Sequence, residues 1–160
     1  ASRAAPNLAT TVANKSGRVA GISMGGGRAA LKGVLGTAMS KHCSFEVART
    51  GLSTREAEEE GGRFQSVVIK TKTRAGYYPG AESMHVKLLG EEGTGRLLGG
   101  QIVGGQGSAK RVDIIATALA AGMTVHDLID LDLGYAPPFS MAWDPVQIAG
   151  RELMKKVGGE

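Results

Sequence analysis

The hydrophobic and polar positions of the chain change their period along its length, and each period predicts an element of secondary structure. Residues 9–24 place small, mildly apolar side chains on one face of a helix. The glycines that follow end this helix, because glycine accepts the left-handed conformation at a helix end. Apolar or alternating patterns predict strands in four segments: residues 34–52, which suit one or two strands, and residues 64–72, 85–89 and 97–103.

Capping residues mark the starts of the helices in the rest of the chain. Ser53 with a glutamate three residues later fits a capping box, and Thr124 with an aspartate at the same spacing fits another. Asp144 can cap a helix whose first position is a proline. The predicted helices, caps included, are residues 53–60, 108–122, 124–131 and 144–158.

The order of these elements predicts the fold class. One helix comes first, then strands, a short helix, three strands and the remaining helices. Strands and helices do not alternate regularly, as they would in a parallel α/β sheet. We therefore predict an α+β fold with an antiparallel sheet, helices packed on one side of it, and one preceding helix.

Composition narrows the classes of protein. The 160 residues are 42% hydrophobic and 21% charged, which suits a globular domain and disfavours disorder. The net charge is +4, but basic and acidic residues are interleaved and aromatic residues are few, so nucleic-acid binding is disfavoured. No apolar stretch is long enough to cross a bilayer. One cysteine and no signal-peptide pattern predict a reducing, cytoplasmic location.

Motifs for catalysis or metal binding are missing. The sequence has no Walker A, HExxH, CxxC or GxSxG pattern. His42, Cys43 and His85 do not have ligand spacing, so we expect no metal site. The loop Gly104–Ser108 lies between a predicted strand and a predicted helix, where it could bind an anion. We favour a tight turn there.

Aromatic residues are concentrated in two loops. Residues 133–144 hold three of the seven aromatic residues and two of the five prolines. Tyr77 and Tyr78 lie in a second loop rich in glycine and proline, residues 74–82. Such aromatic loops can face a ligand or partner, or they can cover the ends of the core. The residue pattern alone leaves both interpretations open.

A longer series of motifs resembles a known family. The segments LDLGYAPPFSMAWDPVQIAGRE, GRLLGGQIVGGQGSAKRVDIIATALAAGMTVHDLIDLDL, VLGTAMSKHCSFEVARTGLS and ANKSGRVAG are similar to the end of the pyridine nucleotide-disulfide oxidoreductases. The branch is that of coenzyme A-disulfide reductase, NADH oxidase and NADH peroxidase. The resemblance implies that residues 1–30 end an FAD-binding domain and that residues 31–160 form the dimerisation domain. The family's redox cysteine would lie upstream, and Cys43 does not match it.

The resemblance also implies a function. The longer protein would be a flavin-dependent NAD(P)H oxidoreductase acting on a disulfide, a peroxide or oxygen, and this domain would form its homodimer and complete the partner subunit's active site. FAD and NAD(P)H would be cofactors of the longer protein, held by the upstream FAD and NAD domains. We expect this chain alone to bind no cofactor and to be inactive. Two alternatives are an independent small-ligand or anion-binding module and a separate subunit that pairs with a flavin-binding chain.

The family's site residues carry over to specific positions. The glutathione reductase branch uses a His-Glu pair, which this YAPPF sequence lacks. A tyrosine at position 135, paired with Tyr77 in preference to Tyr78, is instead implied at the thiol substrate. The resemblance implies these substrate-wall residues: Tyr135, Tyr77, Tyr78 and Phe139. It implies these FAD contacts in the longer protein: Leu8, Ala9, Thr10, Pro138 and Phe139.

Overall fold

The computed structural model describes residues 10–158, which form helices and one antiparallel sheet. The helices within this range are α1 (Thr10–Met24), α2 (Thr54–Glu59), α3 (Val112–Ala120), α4 (Val125–Ile129) and α5 (Pro145–Val157). The strands are β1 (Ala38–His42), β2 (Phe45–Gly51), β3 (Phe64–Lys72), β4 (Ser83–Glu91) and β5 (Leu97–Gly104). A short 3₁₀ turn, Ala109–Arg111, leads into α3.

The strands are arranged in the order β1-β2-β5-β4-β3, and every neighbouring pair is antiparallel. The α+β class with an antiparallel sheet is therefore confirmed. Residues 34–52, predicted to form one or two strands, contribute the hairpin of β1 and β2. The strand predictions for residues 64–72, 85–89 and 97–103 are also confirmed, as β3, β4 and β5.

The hydrophobic core lies between one face of the sheet and the helices α3, α4 and α5. Because side chains alternate between the two faces of a strand, Val86 and Leu88 of β4 are fully buried while Lys87 between them is not. Gly100 of β5 lies directly beneath α3. A Cβ atom at this position would lie 2.8 Å from Cδ1 of Ile115, so the close approach of helix and sheet requires glycine.

The short helix α2 covers one end of the opposite face of the sheet. Lys87, which points away from the main core, donates a hydrogen bond to Thr54 at the start of α2. Arg49 of β2 reaches the same helix through an ion pair with Glu56, with an N–O distance of 2.6 Å. The predicted capping box is present, because Ser53 and Glu56 each accept the other's backbone N–H. Local pattern thus placed this helix correctly in the chain.

Two predicted helices differ from the observed ones at their ends. Ser108 was expected to begin a regular helix, but α3 begins only at Val112, after the 3₁₀ turn, and Ser108 makes no capping hydrogen bond. The amide of Ala109 instead donates to the carboxylate of Glu46 on β2, at 2.9 Å. Helix α4 ends at Ile129, two residues earlier than predicted. In the described part of the chain, no helix combines the length and hydrophobicity that a membrane span requires.

Helix α1 is largely exposed. Val12, Val19 and Ile22 are its half-buried apolar side chains, and their spacing places them on one face. Most of this helix is open to solvent, and none of its residues belongs to the hydrophobic core cluster.

Candidate functional site

The two aromatic loops lie side by side. We call residues 73–82, which join β3 to β4, the first tyrosine loop, and residues 130–144, which join α4 to α5, the second tyrosine loop. The amide of Ala75 in the first loop donates to the carbonyl oxygen of Pro137 in the second, at 3.4 Å. Ala75 is buried, so this backbone contact ties the two loops together at their base.

Tyr77 lies in the first tyrosine loop and Tyr135 in the second. Hydrogen bonding to Tyr135 is the main reason that the pKa of Tyr77 is raised above its ordinary value of 10.0. A raised pKa means that the protonated phenol of Tyr77 is favoured, as it is when that hydroxyl donates the bond. The phenol of Tyr77 stays neutral near pH 7, as a neutral hydrogen-bond donor must.

The second tyrosine loop contains two further exposed aromatic rings. Phe139 is 76% exposed and Trp143 is 50% exposed. The guanidinium carbon of Arg151 lies 5.0 Å from the centre of the Trp143 ring, which is a cation–π contact. Tyr77 and Tyr135 are 76% and 52% exposed, and we call these four exposed rings of the two loops the aromatic patch. Exposed apolar surface of this kind is typical of a site that contacts a partner or ligand.

The other predicted site residues lie in different positions. Tyr78 is half-buried beside Tyr77, and Pro138 is half-buried beside Phe139. Thr10 is the first residue of α1. Leu8 and Ala9 lie outside the described residues.

A buried ion pair supports both tyrosine loops. Nε of Arg111 lies 3.0 Å from Oδ2 of Asp144, and the two side chains are only 10% and 8% exposed. Nη2 of Arg111 also donates to the carbonyl oxygens of Thr73 and Phe139. Arg111 was not among the residues predicted from the sequence. Its position beside another basic residue at a helix start is typical of a solvated charge, and the sequence carries no signal for its distant acceptors.

Backbone amides in and next to the possible anion-binding loop, residues 104–108, already donate to carboxylates of the chain itself. The amide of Gln106 donates to Oε2 of Glu82 at 2.6 Å, and the amide of Ala109 donates to Oε2 of Glu46 at 2.9 Å. An external anion would have to displace these groups. The tight turn favoured from the sequence is therefore the better interpretation of residues 104–108.

The candidate metal ligands are not gathered into a site. His42 ends β1, Cys43 occupies the following turn, and His85 lies on β4. Among residues 10–158, no cluster of three His, Cys, Asp or Glu side chains could hold a metal ion.

Comparisons with known proteins connect the fold to an enzyme family. Residues 37–145 match the family described as pyridine nucleotide-disulphide oxidoreductase, dimerisation domain. The chain is 42% identical to the NAD(P)H coenzyme A polysulfide/persulfide reductase of Pyrococcus horikoshii. The 140 aligned residues cover 88% of this chain and 31% of that protein.

Solved structures have the same fold. A NAD-dependent persulfide reductase from A. fulgidus matches with a TM-score of 0.88 and 44% identity, over 91% of this chain and 27% of that one. Reduced CoADR-RHD from Bacillus anthracis matches with a TM-score of 0.85 and 40% identity, over 91% and 26%. The chain thus spans less than a third of the length of these relatives.

Proposed function

This chain belongs to the dimerisation-domain family of the pyridine nucleotide-disulphide oxidoreductases, and on that premise we propose that it joins two copies of a longer flavin-dependent NAD(P)H oxidoreductase. In this proposal the domain of each copy completes the active site of the other copy. The observation that carries this proposal is the exposed aromatic patch, which contains Tyr77 and Tyr135 on two loops that are bonded to each other. A symmetric dimer buries the same surface of each copy. Exposed rings at the edge of such a surface can reach into the neighbouring copy.

The domain division follows from the same proposal. Residues 1–30 are the end of an FAD-binding domain, and residues 31–160 are the dimerisation domain. The support for this division is helix α1, whose half-buried face of Val12, Val19 and Ile22 makes little use of the sheet's core. Upstream domains of the same protein would cover that helix.

The cofactors of the longer protein belong to those upstream domains. A dinucleotide needs several phosphate-binding groups. Within residues 10–158, the loop with that character has its amides bonded to Glu82 and Glu46. In this proposal the described residues contribute to the FAD site only the Pro138–Phe139 edge and the start of α1 at Thr10. FAD and NAD(P)H, when bound upstream, supply two electrons.

The proposed substrate is a sulfur compound at the disulfide level, carried by a thiol such as coenzyme A. The support is that the similar proteins include a coenzyme A polysulfide/persulfide reductase and a persulfide reductase. Reduction of a persulfide anion uses two electrons and one proton, breaks the S–S bond, and yields a thiolate and hydrosulfide. A phenol hydroxyl such as that of Tyr135 can stabilise the thiolate by a charge-assisted hydrogen bond.

Mixed dimers of the longer protein test this proposal. One subunit carries Tyr77→Phe with Tyr135→Phe, and the other carries a serine in place of the upstream redox cysteine. Each homodimer should have low activity. If the tyrosines serve the opposite copy, one site of the mixed dimer contains an intact cysteine and intact tyrosines, so activity should recover to about half that of the unmodified dimer.

Two controls make the outcome decisive. A mixed dimer of unmodified and cysteine-lacking subunits should have the same half activity, because it also contains one complete site. A dimer with both defects in one subunit, paired with an unmodified subunit, should be inactive if the sites are shared. Full half-activity in this last dimer, with no recovery in the first, would mean that each copy uses its own tyrosines.

A further inference from the structure

Arg111 is a largely buried cation to which the proposed function assigns no role. It ends the 3₁₀ turn before α3, and its guanidinium group reaches three acceptors. Nε donates to Oδ2 of Asp144 at 3.0 Å, while Nη2 donates to the carbonyl oxygen of Thr73 at 2.9 Å and to that of Phe139 at 2.6 Å. The side chain is 10% exposed, and its bonds to Asp144 and Thr73 are partly buried.

The three acceptors belong to the two tyrosine loops, Thr73 to the first and Phe139 and Asp144 to the second. Thr73 begins the first tyrosine loop, four residues before Tyr77. Phe139 lies in the second tyrosine loop, four residues after Tyr135. One planar guanidinium group therefore holds both loops at fixed distances from each other. A lysine at this position has a single ammonium nitrogen, which cannot match the fixed fork of donors that spans these acceptors.

Asp144 is itself held in place from two other sides. Its Oδ1 accepts the amide of Val146 at 2.9 Å, as the N-cap of α5, and its Oδ2 accepts the hydroxyl of Ser140 at 3.1 Å. The carboxylate therefore cannot turn away from Arg111 without breaking the helix cap. This second set of bonds fixes the ion pair to α5, and through α5 to the core.

We propose that Arg111 is a positioning residue whose bonds to both tyrosine loops set the position of Tyr77 relative to Tyr135. It does not touch the substrate in this role. The inference rests on the proposed function for its catalytic consequence, but the relative position of the two tyrosines can be measured without substrate.

The first test follows the titration of each tyrosine in this chain. Tyrosine labelled with ¹³C at Cζ reports ionisation by its chemical shift, and Tyr→Phe variants assign the three signals. In Arg111→Lys the positive charge is kept and the fork is lost, so the pKa of Tyr77 should fall towards its ordinary value. Lys110→Met is the matched control. It removes the neighbouring, exposed cation, whose partner is Asp113, and should leave the pKa of Tyr77 raised.

A second variant guards against a change in folding. Arg111→Met should also lower the pKa of Tyr77, and far-ultraviolet circular dichroism establishes whether each variant is folded. A raised pKa of Tyr77 that persists in a folded Arg111→Lys or Arg111→Met protein would overturn the proposal. Failure of both variants to fold would also overturn it, since Arg111 would then be a general requirement of the domain.

Turnover of the longer protein separates this inference from the proposed function. Arg111→Lys should lower kcat by about ten- to a hundred-fold through misplacement of the tyrosines, with Lys110→Met unaffected. If the pKa of Tyr77 falls but Tyr135→Phe retains full turnover, Arg111 positions the pair and the substrate role fails. If Tyr135→Phe is impaired but the pKa of Tyr77 is unchanged in Arg111→Lys, the substrate role stands and this inference fails.

Discussion

The Tyr77 and Tyr135 side chains are both broadly exposed, and hydrogen bonding to Tyr135 raises the pKa of Tyr77. In the longer protein, Tyr135→Phe removes one hydroxyl but retains the ring that supplies packing area. If the hydroxyl stabilises a thiolate in the transition state, kcat should fall roughly ten- to thousand-fold. Folding stability should change by about 1 kcal/mol or less. Steady-state kinetics and thermal melting measure the two effects.

The pairing of the hydroxyls makes this prediction stricter. Because Tyr77 and Tyr135 would serve one substrate, the double Phe variant should lose less than the product of the single losses. Tyr78→Phe is the matched control, since this half-buried neighbour lies outside the hydroxyl pair. Unchanged turnover in both single variants and the double variant would leave the aromatic patch with a role in dimerisation only.

The raised pKa of Tyr77 predicts a dependence of stability on alkaline pH. The folded pKa lies above the ordinary value of 10.0. The resulting stabilisation is therefore present in full below the unfolded pKa, and it is lost as the pH rises through the folded pKa. Compared with Tyr135→Phe, which removes the main cause of the shift, the unmodified chain should lose more stability over that interval. Equal losses in urea titrations at each pH would contradict a folded-state contact.

The sequence pointed to the tyrosines of the candidate site but not to Arg111. The tyrosines were recognised because a motif and its turn formers are local in sequence. Arg111 was missed because its acceptors Thr73 and Phe139 are 38 and 28 residues away in the chain. Burial distinguishes this arginine from the exposed Lys110 beside it, and burial depends on tertiary packing.

Among the helices, α2 offers a prediction about its capping box. The hydrogen bond from the Ser53 side of the box is the largest cause of a lowered pKa at Glu56, and the ion pair with Arg49 adds to it. This stabilisation is present above the unfolded pKa near 4.5 and is lost as the pH falls through the lower folded value. Glu56→Gln should therefore cost about 1 kcal/mol at neutral pH and almost nothing in acid.

A neighbouring glutamate provides the control for this prediction. Glu59 pairs with Arg55 on the exposed side of α2, where the side chains are 60% and 87% exposed. Glu59→Gln should cost at most a few tenths of a kcal/mol, because exposed i,i+4 pairs contribute little. Chemical denaturation of both variants at two pH values measures the difference. A larger cost for Glu59→Gln than for Glu56→Gln would contradict the capping argument.

Helix starts were predictable to the extent that their caps are local. Ser53 and Thr124 both form the capping boxes expected from sequence spacing alone. The start near Ser108 was wrong because a distant carboxylate, that of Glu46 on β2, binds the amide of Ala109. A long-range partner therefore replaced the local cap, and only the assembled sheet brings that partner close.

At the scale of the whole molecule, the α+β class was predictable but the order of the strands was not. Alternating residues identify strands, yet the pairing of β2 with β5 joins segments about 50 residues apart, with Glu46 opposite Gly104. No local turn specifies that pairing. It is fixed by the burial of one face, where Ala48 of β2 lies opposite Ile102 of β5.

Self-association of this chain through the aromatic patch is a prediction about the whole molecule. If the aromatic patch is part of an isologous interface, this chain should self-associate, and light scattering at increasing concentration should give a mass approaching that of a dimer. Phe139→Ser should weaken the dimer about tenfold or more, because a large apolar ring that is buried on association contributes strongly to affinity. Phe45→Ser is the control, since Phe45 is similarly exposed, at 60%, on the β1–β2 hairpin. A strict monomer at high concentration, or an equal effect of both substitutions, would argue against the aromatic patch as the dimer surface. A weak dimer remains consistent with the proposal, because upstream domains of the longer protein would add further contacts.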